Sequence, residues 1–147
     1  MLPDELKKAV ESMLSSKIGS HVKITDSKAI GGGCINEAFA LKTATGKYFL
    51  KYNSATAFPA MFVKEAAGLK ILTDTNTITL PNVIGNGESG KYAFLLLEYF
   101  EGGVPDRNFW VDFGTKLANL HRNTNEYFGL NDDNYIGSLV QGNKETC

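Results

Sequence analysis

At 147 residues the chain has room for one compact domain, or for a small domain and the start of another. Hydrophobic residues at 43% and charged residues at 21% are ordinary globular usage, which excludes disorder and fibrous repeats and makes a packed core the expectation. A formal charge of -1 leaves no basic surplus for nucleic acid or an anionic membrane, so neither partner is expected.

The N-terminus mixes Asp4, Glu5, Lys7 and Lys8, where a signal peptide needs a basic segment and then an apolar run. A cytoplasmic location is therefore expected. Residues 3 to 17 read as an amphipathic helix. Pro3 suits the first helical position, Asp4 and Glu5 favour the positive end of the dipole, and Leu6, Val10, Met13 and Leu14 repeat at helical spacing. Gly19 is placed to end it. An extended segment from His21 to Ile30 meets Gly31-Gly32-Gly33, and a second strand is expected from Cys34 to Leu41. The turn Thr43 to Lys47 leads to a third strand, Tyr48 to Tyr52, and residues 60 to 73 form a second helix. Two further strands, Pro81 to Gly87 and Lys91 to Phe100, flank the turn Gly87-Glu88-Ser89-Gly90. The longest apolar stretch, Phe94 to Phe100, is broken by Glu98 and is far shorter than the ~20 residues of a bilayer span. Gly102 to Pro105 is a linker, and Asp106 is expected to cap a helix with Trp110, Phe113, Leu117 and Leu120 on one stripe. From Asn125 onward periodicity disappears. The two cysteines, Cys34 and Cys147, lie far apart, and no Cys/His spacing resembles a zinc site, which fits a reducing compartment.

Glycines between two strands let backbone N–H groups approach phosphate oxygens, because no Cβ obstructs them. Gly31, Gly32 and Gly33 serve equally well as a plain hairpin turn. They are not a dinucleotide fingerprint, since a strand follows them, and no Gly-Lys-Ser/Thr continues them into a nucleoside-triphosphatase loop. Lys51 stands mid-strand among aromatic and aliphatic neighbours, where strand propensity disfavours lysine. An edge or snorkelling lysine is the plain explanation. In the second helix Phe62, Glu65, Leu69 and Leu72 share one face, which puts a carboxylate on the apolar stripe. An unpartnered carboxylate on a buried face costs several kcal/mol, so Glu65 takes a proton, is reached by Lys51, or lies at the stripe's edge in solvent.

Glycine hairpin, third-strand lysine and helix carboxylate, in that order, form the kinase arrangement: loop over the phosphates, lysine on phosphate oxygens, glutamate holding the lysine. The fifth strand then runs through Leu95, Leu96, Leu97, Glu98, Tyr99 and Phe100 into a glycine-containing linker, as a segment joining two lobes would. Adenine is expected to lie against its apolar side chains and to bond the Glu98 carbonyl and the Phe100 N–H. An ordinary central strand is the alternative.

Several stretches together resemble the fructosamine (ketosamine) kinase family, relatives of the aminoglycoside phosphotransferases with a protein-kinase-like fold. They are Gly31 to Asn36 (with Cys34 and Ile35), Phe49 to Asn53, Glu65 to Leu69, Leu96 to Tyr99, Leu117 to Arg122 and Phe128 to Gly137. The likeness covers nearly the whole chain. It implies ATP and Mg2+ as cofactors and phosphorylation of the sugar moiety of glycated amines or protein-bound ketosamines. Cys34 follows three glycines, near N–H groups that favour a thiolate, and is expected to be accessible and oxidisable. The resemblance implies redox control of it through an intermolecular disulfide, hence a homodimer.

The family's catalytic loop, His-Gly-Asp-Leu-Trp-x-Gly-Asn, and its later magnesium-binding aspartate are absent from this sequence. His121-Arg122-Asn123 is no substitute, since Asn123 cannot accept a proton as a base and Phe128 falls where a metal-binding asparagine would stand. His121 reads as structural, suiting the C-terminal end of its helix, and Asp132 and Asp133 read as turn residues. No catalytic residue is therefore expected here, and the magnesium ligands are expected in an absent C-terminal part.

The expected fold is α+β: a kinase-like N-terminal lobe over residues 1–102, with a five-stranded antiparallel sheet and flanking helix. Residues 103–147 are expected to form the linker and the first helix of a mainly helical lobe. The chain is expected to bind ATP as part of a ketosamine kinase without transferring phosphate by itself. An aminoglycoside- or choline-type phosphotransferase and a non-catalytic nucleotide-binding or regulatory module are the rival readings.

Overall fold

Leu6, Val10 and Leu14 recur at helical spacing, and in the computed structural model they are the buried face of helix α1 (Asp4–Ile18). The structure describes residues 1–31, 33, 35–126 and 129–143. Pro3 stands just outside α1 as its N-cap, and Gly19 ends it in the left-handed region at φ 75°. The first strand, β1 (Ile24–Ile30), begins three residues later than expected. Val22 N–H is bound by the Ser15 hydroxyl at 2.9 Å and Val22 itself is buried in the core, so this stretch belongs to the edge of α1 rather than to the sheet.

Four more strands complete an antiparallel sheet: β2 (Glu37–Thr43), β3 (Gly46–Ser54), β4 (Val83–Ser89) and β5 (Tyr92–Glu98), in the order β1-β2-β3-β5-β4. Helix α2 (Met61–Asp74) lies between β3 and β4 in sequence. Alternation along β3 and β5 divides the core. Leu50, Phe94 and Leu96 pack with the α1 side, whereas Ala93, Leu95 and Leu97 pack with Phe62 of α2, and Phe49 is packed against that second cluster. Leu50, Leu95 and Leu96 have no exposed surface, and burying each contributes about 1.5–3 kcal/mol. Helices thus cover both faces of the sheet, and β5 is apolar from Ala93 to Leu97 because neither face of that stretch meets solvent.

Two expectations shift for reasons of packing. The β4–β5 turn lies at Gly90 and Lys91, not at residues 87–90, because Gly87 and Glu88 pair with Phe94 and Ala93 inside the sheet. Gly85 and Gly87 are strand glycines. A Cβ at Gly85 would lie 2.7 Å from Met13 Sδ, and one at Gly87 3.2 Å from the Phe94 ring, so these positions are bare where α1 and a neighbouring side chain press on β4. The second strand likewise starts at Glu37 instead of Cys34. A Cβ at Gly33 would stand 2.6 Å from the Asn36 carbonyl oxygen, so the loop folds back on itself before pairing begins.

Helix α3 (Phe109–Leu120) follows, with Asn108 and not Asp106 at its N-cap; Asp106 Oδ1 instead accepts the Asn108 N–H at 2.9 Å, one turn ahead. No residue of α3 is buried. The aperiodic segment contains a short hairpin, β6 (Asn134–Ile136) and β7 (Leu139–Gln141), that lies against α2. Among the described residues no helix is long and apolar enough to cross a membrane.

Candidate functional site

Strand β3 alternates, so Phe49, Lys51 and Asn53 share the α2 side of the sheet, opposite Leu97, Leu95 and Ala93 of β5. Lys51 Nζ meets both oxygens of Glu65, at 2.7 and 3.0 Å. The stripe that carries Glu65 is only partly covered: Phe62 is buried, Leu69 is half-buried and Leu72 is exposed. Both members of the ion pair therefore keep contact with a cavity, with 24% and 30% of their side chains exposed.

Three cavities adjoin along this face. One of about 370 Å³ lies between Ile30, Phe49 and Leu97 on the sheet and Glu98 to Phe100 on the segment leaving it. The next, of about 400 Å³, shares Ile30 and Phe49 with the first and adds Gly31, Gly33, Asn36 and Lys51. A third, also about 400 Å³, shares Asn36 and Lys51 and continues to Glu65, Asn134 and Tyr135. The result is a trench with an apolar end beneath β1 and a charged end at the ion pair. Its lining suits a ligand that is flat and apolar at one end and anionic at the other.

Most of the residues singled out from the sequence meet along this trench. Gly31, Gly33, Ile35, Asn36 and Lys51 line one cavity, Glu65 the next, and Glu98 and Phe100 the apolar end. Gly32 and Cys34 lie outside the described residues. The Glu98 side chain is engaged elsewhere, since its Oε2 accepts both the N–H (3.2 Å) and the Nδ2 (2.7 Å) of Asn82, and its own N–H donates to the Asn82 carbonyl at 2.9 Å. His121 sits at the C-cap of α3, and Asp133 Oδ1 accepts the Asn143 N–H at 2.9 Å across the open end of the β6–β7 hairpin.

Sequence reasoning missed two groups. Asn53 is buried and donates to Asn36 Oδ1 at 2.9 Å and to Met61 Sδ at 3.1 Å, tying β3, the glycine loop and α2 together. Its signal was present: a polar residue two positions past Lys51 must share the lysine's face. Lys47 pairs with Glu101 and lies 5.9 Å over the Tyr99 ring, joining the start of β3 to the linker. The Glu101 carboxylate beside it raises the Lys47 pKa. No signal within either strand announces that contact. Among the described residues no group of three His, Cys, Asp or Glu side chains could hold a metal ion, and Glu65 is already committed to Lys51. The donor set here does not fit magnesium.

The family model for fructosamine kinase matches residues 6–146. A probable ketoamine kinase of Synechocystis is 35% identical over 138 residues, covering 93% of this chain and 46% of the relative. A chloroplastic protein-ribulosamine 3-kinase of Oryza sativa subsp. indica is 40% identical over 133 residues, 88% of this chain and 38% of that protein. The crystal structure of a candidate fructosamine-3-kinase from Haemophilus somnus superposes with a TM-score of 0.85 at 28% identity, over 93% of this chain and 46% of the other. The chain thus spans about half the length, or less, of the relatives it matches. The α+β, kinase-like fold expected from the sequence is the fold present.

Proposed function

The chain belongs to the fructosamine kinase family, and from that premise we propose that it forms the nucleotide-binding lobe of an ATP-dependent kinase acting on the sugar moiety of glycated amines. One observation carries the reading: Lys51, held by both oxygens of Glu65, stands in a trench that begins at an apolar slot beside residues 98–100. Adenine lies in that slot against Ile30, Phe49 and Leu97, hydrogen-bonded to the backbone of Glu98 and Phe100. The phosphates lie beneath Gly31 to Asn36, and Lys51 neutralises their oxygens while Glu65 keeps the ammonium aimed at them. Phosphoryl transfer depends on such positioning and charge neutralisation. Magnesium would supply further neutralising charge to the phosphates, and neither its ligands nor the aspartate that would orient the attacking hydroxyl is among the described side chains of this site. The lobe comprises residues 1–102, and residues 103–147 begin the second lobe. The protein acts in the cytoplasm.

The reading is tested on the longest natural polypeptide carrying this sequence, given ATP, magnesium and a panel of fructosamines, ribulosamines, aminoglycosides and choline. Phosphorylation confined to the glycated amines is the expected result. Transfer to aminoglycosides or choline instead would overturn the substrate class, and nucleotide binding without transfer to any acceptor would point to a regulatory module.

A further inference from the structure

Helix α2 carries Glu65, yet its own residues specify its start poorly. The N-cap, Ala60, sits in the left-handed region at φ 57° and ψ 13°, offers no side-chain cap, and is followed by no acidic residue in the first turn. Both features cost stability, so contacts from outside the helix must hold the first turn in place.

Burial of Met61 and Phe62 supplies some of those contacts, and β6 supplies others. Tyr135 Oη donates to the Pro59 carbonyl at 3.0 Å, its ring meets Phe58 edge-on at 6.5 Å between centroids, and Lys64 Nζ lies 5.6 Å over the same ring. One side chain therefore grips residues on both sides of Ala60, and Lys64 is the immediate neighbour of Glu65. The hairpin also reaches the glycine loop, since a Cβ on Gly137 would stand 3.4 Å from Ile35 Cδ1. Tyr135 lines the same cavity as Lys51 and Glu65.

We infer that Tyr135 is a positioning residue for the Lys51–Glu65 pair: the β6–β7 hairpin pins the first turn of α2 and so fixes where the Glu65 carboxylate meets Lys51. This rests on the proposed role of that pair in holding phosphate, and it assigns a task to the segment from Asp133 to Gly137. A hydroxyl-to-carbonyl bond is directional, and losing it lets the turn drift by a few tenths of an ångström, which a short charged contact and a phosphate site both register.

The test is Tyr135→Phe in the longest natural polypeptide, alone and combined with Glu65→Gln. Alone, it should lower kcat/KM for ATP about five- to tenfold, the worth of one hydrogen bond. KM for the amine and the thermal midpoint should stay nearly unchanged, because the bond is solvent-exposed. In the Glu65→Gln background the same change should add nothing, because the group it positions is gone. A lowered midpoint with unchanged kcat/KM, or a full additive loss in the double variant, overturns the inference. If the wild-type polypeptide transfers no phosphate, the functional reading fails, and amide exchange then decides the pinning separately. Tyr135→Phe should speed exchange at Lys64, whose N–H donates to the Ala60 carbonyl; an unchanged rate there contradicts it.

Discussion

Lys51 Nζ lies 2.7 Å from one Glu65 oxygen and 3.0 Å from the other, bridging the central strand to the helix beside it. Both partners are partly exposed, so solvent screening holds the pair's contribution to stability to about 1 kcal/mol at most. Its value lies in orientation. Glu65→Gln, which keeps the shape and removes the charge, should lower unfolding free energy by less than about 1 kcal/mol. It should lower kcat/KM for ATP in the longest natural polypeptide by about tenfold or more. Denaturant titration beside steady-state kinetics checks this, and a variant that loses stability while keeping its kinetics would refute the orienting role.

Glu11 ties α1 to β1, accepting Lys23 Nζ at 2.8 Å and the Ile24 N–H at 2.9 Å. Burial by itself raises its carboxyl, but the Lys23 ammonium, the Ile24 amide and the charge of Lys7 outweigh burial and hold it below the usual carboxylate range. A carboxylate depressed on folding stabilises above its unfolded pKa, about 4.3, and loses that contribution as pH falls through its folded value. Glu11→Gln should therefore cost about 1–3 kcal/mol at neutral pH, with the gap to wild type closing below about pH 4. Chemical denaturation across that range reads the difference, and a gap independent of pH would mean that the charge of Glu11 is not what holds α1.

The face of α3 with Trp110, Phe113 and Leu117 is exposed, Trp110 at 70%. An apolar patch of that kind favours association. The 147-residue chain should self-associate in solution, and because Trp110 is the single tryptophan, its emission should shift to the blue as concentration rises. Trp110→Ser combined with Leu117→Lys should restore a monomer with an unchanged unfolding midpoint. Light scattering on the unsubstituted chain that shows a monomer at all concentrations would contradict this.

Cys34 follows three glycines, in a loop that must admit phosphate if the proposed function holds. Thiol reagents should label Cys34 rapidly in the native protein, and mild oxidant should give a disulfide-linked dimer that Cys34→Ser abolishes. Labelling no faster than a buried thiol would argue against redox control at this loop.

Much of the site could be read from sequence because it depends on residues close in the chain. Glu65 falls on the stripe of its own helix, Lys51 on a strand where lysine is out of place, and the glycines directly after the end of β1. What escaped depends on distant contacts. Gly87 looks like a turn residue until the Phe94 ring is seen beside its side-chain space, and nothing local to Gly85 announces Met13 there. The β6–β7 hairpin has strands of three residues, too short for alternation to register, although Ile136-Gly137-Ser138-Leu139 carried a two-residue turn signal. Tyr135 gave no sign that it would reach back to Pro59, since nothing local fixes a contact across so much chain.

The most direct test of the account is phosphate transfer from ATP to a fructosamine, measured with magnesium for the longest natural polypeptide, its Lys51→Ala variant and the 147-residue chain. The account predicts turnover by the natural polypeptide, a loss of about a hundredfold or more in Lys51→Ala, and no transfer by the 147-residue chain. Equal rates with and without Lys51, or transfer by the 147-residue chain clearly above its own Lys51→Ala control, would contradict it.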